Sequence, residues 1–289
     1  MYAQNTFNRK RKSSNLSLSL SSNLHQKTSK NKISALFEVL QDNHVDKVKT
    51  LLKGGIDVNV RNKFDQTPLI CAVLNKNVQM IEVLLTHEAD ININYDAPLT
   101  PLTPLLIAID KGNVDIVKLL LKKGANVNTN NTNSPIALIL AAENNNIDIV
   151  KLLLEYKADI NAKDNTEYHN GESALSWAVK NNNIDMVKLL LENEANINIK
   201  NCDQTILSLA VKNNNIDMVK LLLENGANVK KDTECYNPLI LALKNSTLAM
   251  VKLLLVHGTD IDPPTLLKSG VMNNYIDVRN FALGKWDKE

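Results

Sequence analysis

Sixteen consecutive residues, Ala178–Asn193 (AVKNNNIDMVKLLLEN), recur letter for letter at Ala210–Asn225. Close copies stand at Asn144–Glu155 (NNNIDIVKLLLE) and Gly112–Lys122 (GNVDIVKLLLK), and a degenerate one at Leu248–Leu255 (LAMVKLLL). Self-similarity at a fixed period restricts a chain to architectures in which one short unit stacks on the next, because a single unit cannot bury both of its sides. Numbered from a Thr-like residue, the units start near Ser34, Thr67, Thr103, Ile136, Ser173, Thr205, Asn237 and Thr265. An aliphatic residue follows each start by 11 positions, from Val45 to Ile276. The spacings of 33, 36, 33, 37, 32, 32 and 28 give eight units with a period near 33.

Each unit reads as helix, turn, helix, loop. Thr67-Pro68 and Thr103-Pro104 pair an N-cap hydroxyl with a proline at the first helical position, where its missing N–H costs nothing. Asn237-Pro238 offers an amide cap instead. Six units place Ala five residues after the start (Ala72, Ala108, Ala141, Ala178, Ala210, Ala242), small enough for neighbouring helices to approach closely. The first helix ends in Asn43, Gly112, Asn145, Asn182, Asn214 or Asn274, residues that tolerate a left-handed turn. The NNN runs are therefore helix punctuation. Asn77, Asn113, Asn146, Asn183 and Asn215 cap the second helix, and Asp46, Asp115, Asp148, Asp185, Asp217 and Asp277 stand in the first turn of second helices, where the helix dipole favours an anion. Ile116, Val117, Leu120 and Leu121 share its buried face. The second helix stops at another left-handed position, suited to Gly55, Gly124, Gly226 and Gly258 but strained at Glu88, Lys157 and Glu194.

With TPL starts (Thr67–Leu69, Thr103–Leu105), Ala at the sixth position, V/I-D-x-V-K-L-L-L and GANVN (Gly124–Asn128), EADIN (Glu88–Asn92) or KADIN (Lys157–Asn161), residues 33–289 resemble an ankyrin-repeat protein. The resemblance implies an all-α solenoid of stacked antiparallel helix pairs, with β-hairpin fingers and a concave binding face. It also implies capping units at both ends. One departure concerns the histidine the family places after TPL. Here that site holds Phe37, Ile70, Leu106, Ile139, Ser176, Ser208, Ile240 and Lys268, so cohesion between units must lean on aliphatic packing.

Ahead of the repeats, residues 1–32 carry seven Lys/Arg and no acid, which leaves −5 for the rest of a chain whose net charge is +2. This Ser/Asn-rich tail lacks the apolar surface to offset ordering, and disorder is expected. Arg9, Lys10, Arg11 and Lys12 form a candidate nuclear-import signal, a solvated charge run being the plain alternative. A mitochondrial transit peptide fits the composition less well. The mildly acidic body argues against nucleic-acid binding. No apolar run approaches the ~18 residues that span a bilayer. Cys71, Cys202 and Cys235, odd in number and far apart, read as reduced thiols of an intracellular protein, cytoplasmic and in part nuclear.

Catalysis is not expected. His25, His44, His87, His169 and His257 fall in different units or in the tail, with no metal-ligand spacing, and no phosphate-cradling glycine loop appears. No cofactor or metal is called for. The expected function is a monomeric, non-enzymatic scaffold or adaptor that holds a partner protein on its concave face and fingers. The alternatives are a targeting subunit of a larger enzyme complex such as a ubiquitin ligase, or a fragment of a longer ankyrin-bearing protein. Met1 and the polar ending Lys285–Glu289 are expected to speak against a fragment. Candidate contact residues are the finger aromatics Phe64, Tyr95, Tyr168 and Tyr236, with His169 beside them, since exposed aromatics on polar loops are frequent binding hot spots. Asn59, Asn92, Asn128, Asn161 and Asn198 match the position that asparaginyl hydroxylases modify in some family members; the competing reading is a structural amide that closes the hairpin.

Overall fold

The computed structural model describes residues 31–96, 101–128, 136–164, 171–201, 204–229, 237–244 and 248–258. They form two compact bodies. The first holds the described residues up to Ile107 together with Lys122–Ala125; the second holds Ala108–Leu121 and those from Asn126 onward.

In the first body, α1 (31–41) precedes α2 (Val45–Lys53), and α3 (Pro68–Leu74) pairs with α4 (Val78–Thr86). A short antiparallel finger follows, β1 (Tyr95–Asp96) with β2 (Pro101–Leu102), and leads into α5 (Pro104–Asp110). Leu36, Leu40, Leu69, Met80, Ile81 and Leu84 are all at most 1% exposed and make the core.

The second body repeats one pattern. After α6 (Val114–Lys122) come the pairs α7 (Ala137–Glu143) with α8 (Ile147–Glu155), α9 (Ala174–Lys180) with α10 (Ile184–Glu192), α11 (Ile206–Lys212) with α12 (Ile216–Glu224), and α13 (Pro238–Lys244) with α14 (Leu248–Val256). First helices are seven residues long and second helices nine. The first helices pack in sequence, α7 on α9, α9 on α11 and α11 on α13. Ala141, Ala178, Ala210 and Ala242 are fully buried on them, which is what a close helix–helix approach requires. A second finger joins β3 (Lys200–Asn201) to β4 (Gln204–Thr205), and Asp164 bridges Glu172 in a third.

Local chemistry sets most of the helix starts. Thr67, Ser173 and Thr205 each accept the N–H three residues on, with Ser173 and Ser176 forming a reciprocal capping box. Asn237 caps α13 as an amide at 2.9 Å from the Leu239 N–H. At the site where the family carries histidine, Ile70, Leu106, Ile139 and Ile240 are buried, while the Ser176 and Ser208 hydroxyls turn to their own N-caps. Ile136 and His44 start helices with no side-chain cap.

Among the described residues the left-handed turns fall where the sequence places them; Asn274 lies outside those residues. Asn43, Asn145, Asn182, Asn214 and Gly112 all have φ between 55° and 62°, and Lys76 joins them at 55°. At the second turn, Gly55, Gly124, Gly226 and Gly258 have φ of 80–92°, and Glu88, Lys157 and Glu194 are held at 64°, 64° and 67°. A Cβ at Gly226 would meet nothing within 4 Å, so the penalty for a side chain there lies in the backbone alone. Glu194→Gly is therefore expected to stabilise the fold by about 1 kcal/mol and to raise Tm by about 2–4 °C in a thermal melt. An unchanged or lower Tm would contradict the strain at this turn.

Candidate partner-binding surfaces

Much of the repeated sequence is occupied by bonds that tie each unit to the next. The second-helix caps have two jobs. Asn183 accepts the Met186 N–H at 2.9 Å through Oδ1 and donates through Nδ2 to Asn145 Oδ1 at 2.8 Å. Asn77 does the same between Met80 and Asn43, and Asn215 between Met218 and Asn182. In two of the three triplets the first Asn reaches the preceding first helix. Asn181 donates to the Ala142 and Glu143 carbonyls at 2.9 and 3.2 Å, and Asn213 to the Val179 carbonyl at 3.1 Å. The three asparagines of NNN thus serve as a bridge to the preceding helix, a left-handed turn and a cap.

The [D/N]-x-N motif forms a third series. The Asp57, Asp90, Asn126, Asp159 and Asn196 side chains each accept the N–H two residues on. The second residue then accepts an N–H one unit later: Asn59 from Asp90, Asn128 from Asp159, Asn161 from Asn196 and Asn198 from Asn228, all at 2.8–2.9 Å. These amides are structural, and they join neighbouring units where the sequence suggested closure of a hairpin. Asn128 is engaged at both ends, its Nδ2 donating to the Lys157 carbonyl.

What remains free differs from unit to unit. Phe64 is 61% exposed, among the most exposed large apolar side chains described. Its turn is built around Asn62, whose Oδ1 accepts the Phe64 and Gln66 N–H groups at 2.9 and 3.0 Å. Arg61 braces it by donating to Asp65 and to the Asn94 carbonyl. Lys63 Nζ lies 4.9 Å from the Phe64 ring centre. Tyr95 is half-buried in β1 opposite Leu102 and so offers less contact area. Tyr168, His169 and Tyr236 lie outside the described residues, as do Arg9–Lys12.

A second surface was not picked out residue by residue in the sequence. The fourth residue of each first helix in the second body, Leu140, Trp177, Leu209 and Leu241, is at least partly covered, Leu209 most. Trp177 is the largest of them. Lys180 Nζ sits 4.3 Å from its ring centre and pairs with Glu172, which also meets the buried Ser176 hydroxyl. The clue was a tryptophan at a position where the other units carry smaller residues, Leu in three of them.

Among the described residues no three His, Cys, Asp or Glu side chains gather to hold a metal. Cys71 is a free thiol, and burial pushes it up to about 11, so it is protonated and a poor nucleophile at neutral pH. Cys202 and Cys235 lie outside the described residues. No described helix is long and apolar enough to cross a membrane.

The model of a family described as ankyrin repeats (3 copies) matches residues 10–95, 92–164 and 164–233. Over 72 residues, a quarter of the chain, the sequence is 38% identical to the mitochondrial disaggregase of Bos taurus and 36% identical to that of Homo sapiens. The matched stretch spans only about a tenth of those relatives' length, 11% and 10%. Among solved structures, the crystal structure of the human ASB11 ankyrin repeat domain superposes with a TM-score of 0.60 at 24% identity, covering 78% of this chain and 99% of that one.

Proposed function

Because the chain belongs to the ankyrin-repeat family, whose repeats mediate protein–protein interaction, we propose that it is a non-enzymatic scaffold that grips a partner protein on its first-helix face and fingers. The observation that carries the reading is the division of labour along each unit. Residues that recur are consumed by caps, turns and inter-unit bonds, as with Asn183, Asn181 and Asn161. Residues that vary, such as Phe64 and Trp177, face solvent in full or in part. A scaffold selects its partner through the second set.

In this reading the fold is typically non-catalytic, the protein acts inside the cell, and Arg9–Lys12 supplies a nuclear address. Capture of the tagged chain from fractionated cells, with mass spectrometry of what co-purifies, tests the function and reads the compartment together. The joint variant Phe64, Tyr95, Tyr168 and Tyr236→Ala is expected to weaken the principal partner by about 10-fold or more, as loss of hot-spot aromatics does. A partner retained at wild-type affinity would remove the fingers from the binding surface.

A further inference from the structure

The last residue of each first helix tells more about the partner. From α9 onward these residues are Lys180, Lys212 and Lys244, all exposed. The preceding helices α5 and α7 end instead in Asp110 and Glu143. A helix dipole favours a cation at every C-terminus, so the dipole alone does not choose these residues. Each lysine stands three positions after Trp177, Leu209 or Leu241 and shares a helix face with it. The bond from Asn213 to the preceding helix sets the register of α11 on α9, and α13 packs next on α11, which brings the three lysines to the same end of successive helices.

The lysines of the second helices behave differently. Lys188 and Lys220 each follow an Asp by three residues, and Lys220 lies 3.9 Å from Asp217. Lys220 is thus partly offset by an acid on its own helix, and Lys188 has Asp185 one turn before it. On the first helices Lys180 is shared with Glu172, whereas Lys212 and Lys244 make no ion pair among the described residues. A row of lysines, two of them unpaired among the described residues, therefore flanks an apolar row that is half-covered at Trp177 and Leu241 and buried at Leu209.

Deepening the scaffold reading and resting on it, we propose that α9, α11 and α13 bind an extended acidic segment of the partner protein. Its carboxylates meet Lys180, Lys212 and Lys244, and its apolar side chains lie on Trp177, Leu209 and Leu241. Packed helices lie about 8–10 Å apart, and a chain in the extended polyproline-II conformation rises about 3.1 Å per residue with three residues per turn, so an acid at about every third position meets successive lysines from one side.

The test immobilises the full chain and selects from a phage-displayed library of random peptides of about twelve residues. Enriched peptides are expected to carry Asp or Glu at about every third position with apolar residues between them. Their recovery should fall about tenfold or more on Lys212→Glu/Lys244→Glu, and fall likewise as salt rises from about 0.05 to 0.5 M. Recovery on Lys188→Glu/Lys220→Glu should match the wild type. Should circular dichroism show the first variant misfolded, Lys212→Gln/Lys244→Gln carries the test, with a smaller loss expected. Enriched peptides that are neutral or basic, or that lose recovery equally on the second-helix variant, overturn the acidic segment and leave the scaffold reading standing. No enrichment over bare support overturns both.

Discussion

Leu190→Ala is expected to cost about 3–5 kcal/mol, the range for truncating a fully buried leucine in a close-packed core. Leu190 is 0% exposed in α10, and so is its counterpart Leu222 in the identical sixteen-residue copy. The cost has two parts, the lost transfer of the side chain out of water and the cavity it leaves. In a stacked array each unit depends on its neighbours, so the lesion should not spread evenly. Native-state hydrogen exchange should lose protection first in α9–α12 and last in α3 and α4. Leu222→Ala should give nearly the same loss from the same letters. Leu189→Ala, at a half-buried site one residue away, should cost clearly less. A loss under about 1.5 kcal/mol, or exchange that rises uniformly along the chain, would contradict the packing described.

Asn183→Ala should cost about 2 kcal/mol. One part is the cap on Met186, worth about 1 kcal/mol; the other is the bond to Asn145 of the preceding unit, worth about as much. Asn183→Asp separates them. Its carboxylate keeps the acceptor for the cap and suits the helix N-terminus, but it has nothing to donate to Asn145. Chemical denaturation should therefore place the Asp variant between the Ala variant and the wild type. Equal loss in both variants would mean the cap is worth little, and no loss in either would remove the asparagine from the stability of the array.

Features governed by neighbours in sequence were legible before any coordinates. The period, the hydroxyl caps, the alanine position and the left-handed φ at Glu88, Lys157 and Glu194 follow from bonds and dihedrals within a few residues. Side-chain bonds between units were not legible, because they join residues about one period apart. Asn128 sits in a motif that also suits a closed hairpin, and only the stacking brings the Asp159 N–H to it. The finger aromatics show the same limit. Alternation and polarity place Phe64 and Tyr95 on loops alike, yet the Asn62 turn exposes one while pairing with Leu102 half-covers the other. Trp177 escaped notice because a large apolar residue on a short helix reads as core, and the first-helix face becomes visible only when its neighbours are aligned.

The bonds that join one unit to the next have the same donors and acceptors at successive junctions: Asn183 to Asn145, then Asn215 to Asn182. Such a junction carries no record of its place in the array. The interval from Ala178 to Leu209 could be excised, or copied once more, and the chain on either side would read AVKNNNIDMVKLLLEN as before. Nothing in this chemistry counts units, so the number of them is open to change by duplication, while the lysines and aromatics carried by each added copy decide what the longer array would hold.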